Sequence, residues 1–252
     1  MRMDMDRTEI AWEWEELDET DSTNRVALGR VMERWGAGRS AAGIVVTARR
    51  QTSGRGQHGR RWESPAGGLY LSAVLQDVPV ALRERLALAV GVCVVEAVES
   101  LGAKGLLIRW PNDVVVASGD GLLKLGGILC EAVAQGDRWA VVVGVGVNVA
   151  GADLPPVLGA TSLEALGVGA VPREVGEAIA ARLGTLVGFS LGDVIAQVRQ
   201  RDALRGRGVR LHDAGVVTEG VGGGIDDTGR LVVDLGGGVA RAFERGRLHG
   251  YS

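Results

Sequence analysis

The sequence predicts an α+β chain in two parts. Residues 1–205 carry apolar strands and helices, and residues 206–252 form a small β-barrel. Three observations support this. Short β-branched runs such as Ile44–Val46 and Leu106–Ile108 are interleaved with helical periodicity. Trp139-Ala-Val-Val-Val-Gly-Val-Gly-Val-Asn-Val149 is apolar on both faces and reads as a central strand covered on each side. Beyond Arg205-Gly-Arg-Gly208 the helical patterns stop, and short β-rich runs divided by glycine turns follow.

Residues 1–20 mix acids with Trp12 and Trp14 in the alternation of an edge strand, and leave no length ahead for a DNA-reading helical module. Asp21-Ser-Thr-Asn24 precedes a helical pattern over Arg25–Trp35, with Ala27, Leu28, Val31 and Trp35 on one stripe. Ser22, Thr23 and Asn24 stand where an N-cap belongs, and the same polar groups would serve a ligand equally well. Ile44–Val46 is a buried strand entering, and Gly68–Leu75 the strand leaving, a loop anchored at both ends.

That loop is the most informative stretch. Glycines at 54, 56 and 59 allow backbone conformations closed to other residues and bring N–H groups close to a ligand. Arg55, Arg60 and Arg61 add planar donors suited to carboxylate or phosphate oxygens. A solvated basic loop is the plain alternative, but the glycine spacing and the Trp62 that ends the run argue for an anionic ligand. With so many cations and no anion, the loop is expected to be mobile when empty.

Further along, Leu82, Leu86, Val90, Cys93, Ala97 and Leu101 recur at steps of three or four and predict a long amphipathic helix. Leu106–Ile108 leads as a short strand into Arg109-Trp-Pro-Asn-Asp113, Val114–Val116 resumes it, and Lys124-Leu-Gly-Gly-Ile-Leu-Cys-Glu131 begins the next. A mobile Gly/Pro loop is expected at 150–160, then Thr161-Ser-Leu163 and helices across roughly 172–204. In the last part, Val209–Leu211, Val216–Val217, Leu231–Leu235 and Val239–Phe243 are strands joined by glycine turns such as Asp226-Asp-Thr-Gly229. The glycine clusters at 222–224 and 236–238 lack the strand-to-helix context of a phosphate loop.

Composition narrows the function. At 252 residues one large domain with a small appendage is the simplest arrangement. A net charge of -3 removes any global case for nucleic-acid binding, so the positive charge that matters is local. Two cysteines, Cys93 and Cys130, indicate neither a disulfide framework nor a cysteine-rich metal site, which fits a reducing cytoplasm. The charged first residues do not form a signal peptide and no window is apolar enough for a membrane span, so a soluble, non-exported protein is expected.

Four separated motifs agree in order: Gln51-Thr-Ser-Gly-Arg-Gly-Gln-His-Gly-Arg-Arg-Trp62, Arg109-Trp-Pro-Asn-Asp113, Lys124-Leu-Gly-Gly-Ile-Leu-Cys-Glu131 and Gly144-Val-Gly-Val-Asn148. Together they closely resemble biotin protein ligases, with Asp21-Ser-Thr-Asn24 and Ser64-Pro65 also matching. The resemblance implies a mixed β-sheet backed by helices, as in class II synthetases, and an SH3-like terminal barrel. It also implies ATP-dependent adenylation of biotin, then transfer to one lysine of a biotin carboxyl carrier domain. Without a DNA-reading module the chain looks like the monofunctional type, and a repressor role is not expected. Magnesium is expected as the partner of ATP, with no carboxylate cluster to name as its protein ligands. The oligomeric state is left open, a homodimer included.

By resemblance, Lys124 and Arg55 are the catalytic cations, Lys124 touching both the biotin carboxylate and a phosphate oxygen. Ser22, Thr23, Asn24, Gln51, Gly54, Arg55, Gly56, Gln57, Lys124, Gly127, Gly144 and Gly146 match biotin-binding positions, and Gly126 is expected on the same pocket floor. Arg55, Arg60, Trp62, Arg109, Asn112, Lys124 and Asn148 match adenylate-binding positions, Trp62 as a flat face for adenine or as ordinary core. Two departures stand out. Arg109 replaces the family's usual lysine, and Gln57 stands where a second loop arginine is common, removing one cation from the adenylate. His58 reads as an exposed loop histidine. A lipoate ligase would adenylate a different acid, but Gly-Arg-Gly with its downstream Trp and the terminal β-module argue for biotin. A non-catalytic binder is disfavoured because Lys124, Arg55 and Asn148 are all present.

Overall fold

The computed structural model describes residues 10–150 and 159–251. Seven strands, β1 (Glu13–Thr20), β2 (Ile44–Gln51), β3 (Leu69–Leu75), β4 (Leu106–Arg109), β5 (Asp113–Ser118), β6 (Gly121–Gln135) and β7 (Arg138–Val147), form one sheet. Its order is β1-β2-β3-β7-β6-β5-β4, so the doubly apolar β7 is the central strand. β1 runs parallel to β2 while the other pairs are antiparallel, making the sheet mixed. The helices are α1 (Thr23–Gly36), α2 (Leu86–Ser100), α3 (Pro172–Gly184) and α4 (Leu191–Gln200).

Alternation along β7 explains both layers. Val141, Val143, Val145 and Val147 point into the large core shared with α2 and α3. Ala140 and Val142 point the other way, into a smaller core with Ala27, Val31 and Trp35 of α1. The next two positions on the α1 face are Gly144, under Asn24 in the first turn of α1, and Gly146, and both leave the strand without side chains. That gap is where the site forms.

α2 is buried well beyond the single stripe that its periodicity predicts. Eleven of its residues are buried, because the sheet covers one side and α3 the other. It also starts later than predicted, at Leu86, after a 3-10 turn over Val80–Arg85 that follows Pro79.

The C-terminal part is a separate antiparallel sheet of β8 (Gly208–Asp213), β9 (Val216–Ile225), β10 (Leu231–Gly236), β11 (Val239–Phe243) and β12 (Arg247–Tyr251), in the order β11-β10-β9-β8-β12. Gly222–Gly224, read from sequence beside the turns, lie inside β9. β12 lies beyond Val239–Phe243, the last strand that the sequence predicts. The expected loop at 150–160 falls largely outside the described residues. Among these residues no helix is long and apolar enough to cross a membrane.

Candidate active site

Residues that pair across neighbouring strands share a face of the sheet. On the α1 face, β3 supplies Tyr70 and Ser72, opposite Gly146 and Gly144 of β7. β6 supplies Gly127 and Leu129, opposite the same two glycines, with Glu131 next along. Asp113 of β5 pairs with Gly127 and completes the row. The result is a shallow floor with polar groups at one end and charge at the other. Gly126, expected on this floor, faces away from it. A Cβ there would stand 3.5 Å from Val147 Cγ2, on the core side.

The polar end is a hydrogen-bonded network. Ser22 is the N-cap of α1, but its hydroxyl makes no capping bond. The Thr23 amide donates to Gln51 Oε1 at 2.9 Å, and the Thr23 hydroxyl to the same oxygen at 3.2 Å. Ser72 Oγ lies 2.8 Å from Thr23 Oγ1 and 2.6 Å from Asn24 Oδ1. Gln51 Nε2 donates to Ser64 Oγ, 2.9 Å away, and Ser64 donates in turn to the Trp62 carbonyl. Ser22, Thr23 and Asn24 are all buried, so these bonds form where unpaired polar groups would be costly. A Cβ on Gly144 would collide with the Asn24 amide, which ties the network to the floor.

Two carboxylates outside the predicted site residues flank the floor, Asp113 at the charged end and Glu131 at the polar end beside Asn24. Lys124 Nζ lies 2.6 Å from Asp113 Oδ1, and Arg109 Nε donates to Asp113 Oδ2 at 3.1 Å. Burial alone would raise the Asp113 carboxyl, but Lys124 and Arg109 together hold it below the usual aspartate value. Burial draws the Lys124 ammonium below the usual lysine value, with Arg109 and Arg60 adding to this against the pull of Asp113. Arg55 reaches Glu131 at 2.9 Å, and the same carboxylate accepts from Asn24 Nδ2 at 2.8 Å. The loop cations therefore do not stand in an anion-free cluster, as the expectation of mobility assumed. Arg61 likewise has Glu63 at 3.4 Å.

The loop closes on itself as a narrow hairpin. Arg55 and Arg61 form an antiparallel bridge, Gly56 N donates to Arg60 O, and Trp62 N donates to Gly54 O. A Cβ on Gly54 would collide with the Trp62 carbonyl, so this glycine serves the closure. His58 sits exposed at the tip with φ 57. The hairpin lays the Trp62 indole on the glycine floor. A Cβ on Gly146 would stand 2.7 Å from Trp62 Cε2, and one on Gly127 3.0 Å from Cζ3. Lys124 Nζ lies 4.9 Å from the ring centroid, and the buried Trp62 Nε1 has no hydrogen-bond partner among the described residues. With the indole there, the cavity measures ≈ 110 Å³, below the ~300–1,000 Å³ typical of ligand pockets.

Of the residues predicted from sequence, Ser22, Thr23, Asn24, Gln51, Arg55, Gly56, Gln57, Arg60, Trp62, Asn112, Lys124, Gly127, Gly144 and Gly146 line this one cavity. Gly54, Arg109 and Asn148 stand behind its wall. Asn148 Nδ2 donates to the Thr161 carbonyl at 2.9 Å and to the Lys124 carbonyl at 3.3 Å, so it anchors the Lys124 backbone from beneath. Among the described residues no group of three or more His, Cys, Asp or Glu side chains is placed to hold a metal ion.

Residues 17–148, from β1 to the end of β7 and thus the whole cavity wall, match the biotin/lipoate A/B protein ligase family. The chain belongs to this family. Within it, the chain is 37% identical over 243 residues to a biotin–[acetyl-CoA-carboxylase] ligase of Mycobacterium tuberculosis, covering 89% of this chain and 85% of that protein. A biotin–[acetyl-CoA-carboxylase] ligase of Paracoccus denitrificans is 38% identical over 167 residues, 65% of this chain and 64% of that protein. The biotin protein ligase of Aquifex aeolicus, solved in complex with biotin and ATP, superposes with a TM-score of 0.74 at 26% identity. That superposition covers 94% of this chain and 97% of the other, so it extends through the C-terminal sheet.

Asp113 and Glu131 each end a motif singled out above, and strand alternation from Gly127 through Leu129 to Glu131 was the available signal. Ser72 was legible as the one serine or threonine in the otherwise apolar and aromatic run Leu69-Tyr-Leu-Ser-Ala-Val-Leu75.

Proposed function

We propose that the chain activates biotin with ATP to give biotinyl-5′-AMP and then transfers the biotinyl group to one lysine of a biotin carboxyl carrier domain. One observation carries this reading: Lys124 and Arg55 line the same glycine-floored cavity, with Lys124 at the end away from a donor and acceptor network suited to an uncharged ureido ring. In the first step a biotin carboxylate oxygen attacks the α-phosphorus and pyrophosphate leaves. The two anions repel by about 4 kcal/mol near 4 Å at an effective dielectric of ~20. Relieving that repulsion is worth about three powers of ten in rate.

We assign Lys124 and Arg55 to that task, with Arg60 on the phosphate side. Ser22, Thr23, Asn24 and Gln51 form the ureido end beside the loop residues Gly56 and Gln57, Gly54 closes that loop from behind the wall, and Gly127, Gly144 and Gly146 leave room for the fused rings. Asn112 and Trp62 serve the nucleotide, which requires the indole to leave the floor it covers. Its unpartnered Nε1 supports such a move, since a buried N–H without an acceptor costs about 1–3 kcal/mol. Arg109 and Asn148 act from behind the wall, on Asp113 and on the Lys124 backbone. Magnesium enters with the phosphates of ATP, as part of the substrate.

In the second step the carrier's lysine amine attacks the acyl carbon, and AMP leaves with the electrons of the broken anhydride bond. The chain's contribution here is positioning, which supplies ~7–11 kcal/mol in favourable cases. Pyrophosphate release is measured with biotin and then with lipoate, followed by labelling of a carrier domain. Release with biotin alone, and labelling, is the expected result. Release with lipoate alone would make the protein a lipoate ligase, and silence with both would make it a binder.

A further inference from the structure

We propose that the turn between β9 and β10 is a positioning element for the nucleotide side of the cavity, and that it acts through Trp110. The inference rests on the reading of the site given above. Trp110 sits inside the Arg109–Asp113 segment and is only 2% exposed. Its indole Nε1–H donates to the Gly229 carbonyl in the C-terminal sheet, at 3.2 Å. The other end of the segment is fixed to the catalytic sheet. Asn112 Nδ2 donates to Ile128 O at 2.8 Å, and Ile128 N donates back to Asn112 O at 2.9 Å. The stretch that carries Asn112 and the Lys124 partner Asp113 therefore hangs between two anchors, one in each sheet.

The second anchor is stiff. The Asp226 carboxylate accepts from Thr228 N at 2.9 Å, Thr228 Oγ1 at 2.8 Å, Arg230 N at 3.0 Å and Arg230 Nε at 2.7 Å. Partial burial would raise that carboxyl, yet these donors, the Arg230 backbone N–H first, hold it at about 2. The turn is also gripped from outside. Arg85 Nε donates to Thr228 O at 2.6 Å, and Arg199 donates to Ile225 O and pairs with Asp227, both at 2.7 Å. Gly229 has φ +82, and a Cβ there would come within 2.7 Å of Arg85 Cδ. Packing alone would be served by a phenylalanine at 110. The indole adds a directed bond to a fixed carbonyl, and direction is what a positioning contact needs.

The test uses the full chain and two substitutions, Trp110→Phe and Arg85→Ala, singly and together. Binding of a non-hydrolysable ATP analogue and of biotin is measured by titration, alongside thermal unfolding. Trp110→Phe should weaken the nucleotide about two- to tenfold while biotin affinity stays put, as expected for one lost buried hydrogen bond. Arg85→Ala, which frees the turn from its far side, should give the same selective loss. The pair should not be additive, because both act through one turn. Equal losses for both ligands, a lowered Tm with nucleotide affinity intact, or full additivity would each overturn the proposal. Should Trp110→Phe not fold, Arg85→Ala carries the same selectivity criterion. Because the readout is binding, it stays separate from biotin-dependent pyrophosphate release by the unaltered chain, on which the proposed function stands or falls.

Discussion

Replacing Lys124 with alanine tests the electrostatic reading most directly. Nζ lies 2.6 Å from Asp113 Oδ1 and its side chain keeps 27% exposure, so it faces both a buried carboxylate and the cavity. Removing it takes one unit charge from the place where two anions must meet. At ~4 Å and an effective dielectric of ~20 that charge is worth about 4 kcal/mol, or about three powers of ten in adenylation rate. The fold should tolerate the loss, because Asp113 keeps Arg109 and is spared the ~3–5 kcal/mol of an orphaned buried charge. The assay is the initial rate of biotin-dependent pyrophosphate release, with Tm recorded on the same sample. A rate lower by about a thousandfold, with a small change in Tm, is expected. The decisive control is Lys124→Ala combined with Asp113→Asn. If Lys124 serves only to neutralise Asp113, removing both charges restores turnover; if its charge acts on the reactants, the double variant stays slow. Restored turnover in the double variant, or full carrier labelling by the single one, refutes the reasoning.

Three further outcomes follow from the same geometry. Gly146→Ala places a methyl group 2.7 Å from the Trp62 indole and raises the floor; biotin affinity should fall about tenfold, within the ~1–3 kcal/mol of overpacking, and an unchanged Kd by titration would remove Gly146 from the site. Gln57→Arg restores a loop cation and should slow the escape of biotinyl-AMP, so equal release rates for variant and parent would dispose of the idea. The folded Asp113 carboxyl is held below its unfolded value of ~3.9, so its contribution to stability is present above that pH and is lost as pH falls through the folded value. Asp113→Asn should therefore unfold more easily at neutral pH, by up to about 3–5 kcal/mol, and lose that part of the acid dependence. Identical pH–stability slopes below pH ~4 in variant and parent would contradict this.

The features legible in the sequence were those written in a single local period. β7 announced itself as central because both of its faces are apolar, and the loop did so because glycines and arginines alternate in it. What stayed hidden depends on which strand lies beside which. Gly126 and Gly127 are neighbours in the motif, yet only Gly127 faces the cavity; the register with Gly146 decides this, and no single strand reveals it. Gly222–Gly224 resemble a turn by composition and lie inside a strand. α2 shows a helical stripe but is buried all round, because α3 packs on the side the sheet leaves open. Asp113 and Glu131 were visible as acids at the ends of motifs. Their partners, Lys124 and Arg55, lie on other strands or on the loop, so pairing could not be read from spacing.

On the proposed reaction these two carboxylates give the two cations different tasks. The Arg55–Glu131 pair leaves the arginine side chain 45% exposed, and a pair that wet is worth only ~0–1 kcal/mol. Lys124 and Asp113 are far less exposed, at 27% and 9%, and Arg109 braces the same aspartate. An anionic reactant can therefore draw Arg55 from Glu131 at little cost, while Lys124 stays where Asp113 holds it. On the proposed reaction Lys124 is the fixed charge that marks where the carboxylate and phosphate meet. Arg55 is the movable one, delivered by a loop whose glycines let it pivot and whose Trp62 must leave the floor in the same motion. With the indole on its floor the cavity measures ≈ 110 Å³, below the ~300–1,000 Å³ typical of ligand pockets. On this proposal, opening the pocket and bringing its second cation to bear are one event, driven by the anion that enters.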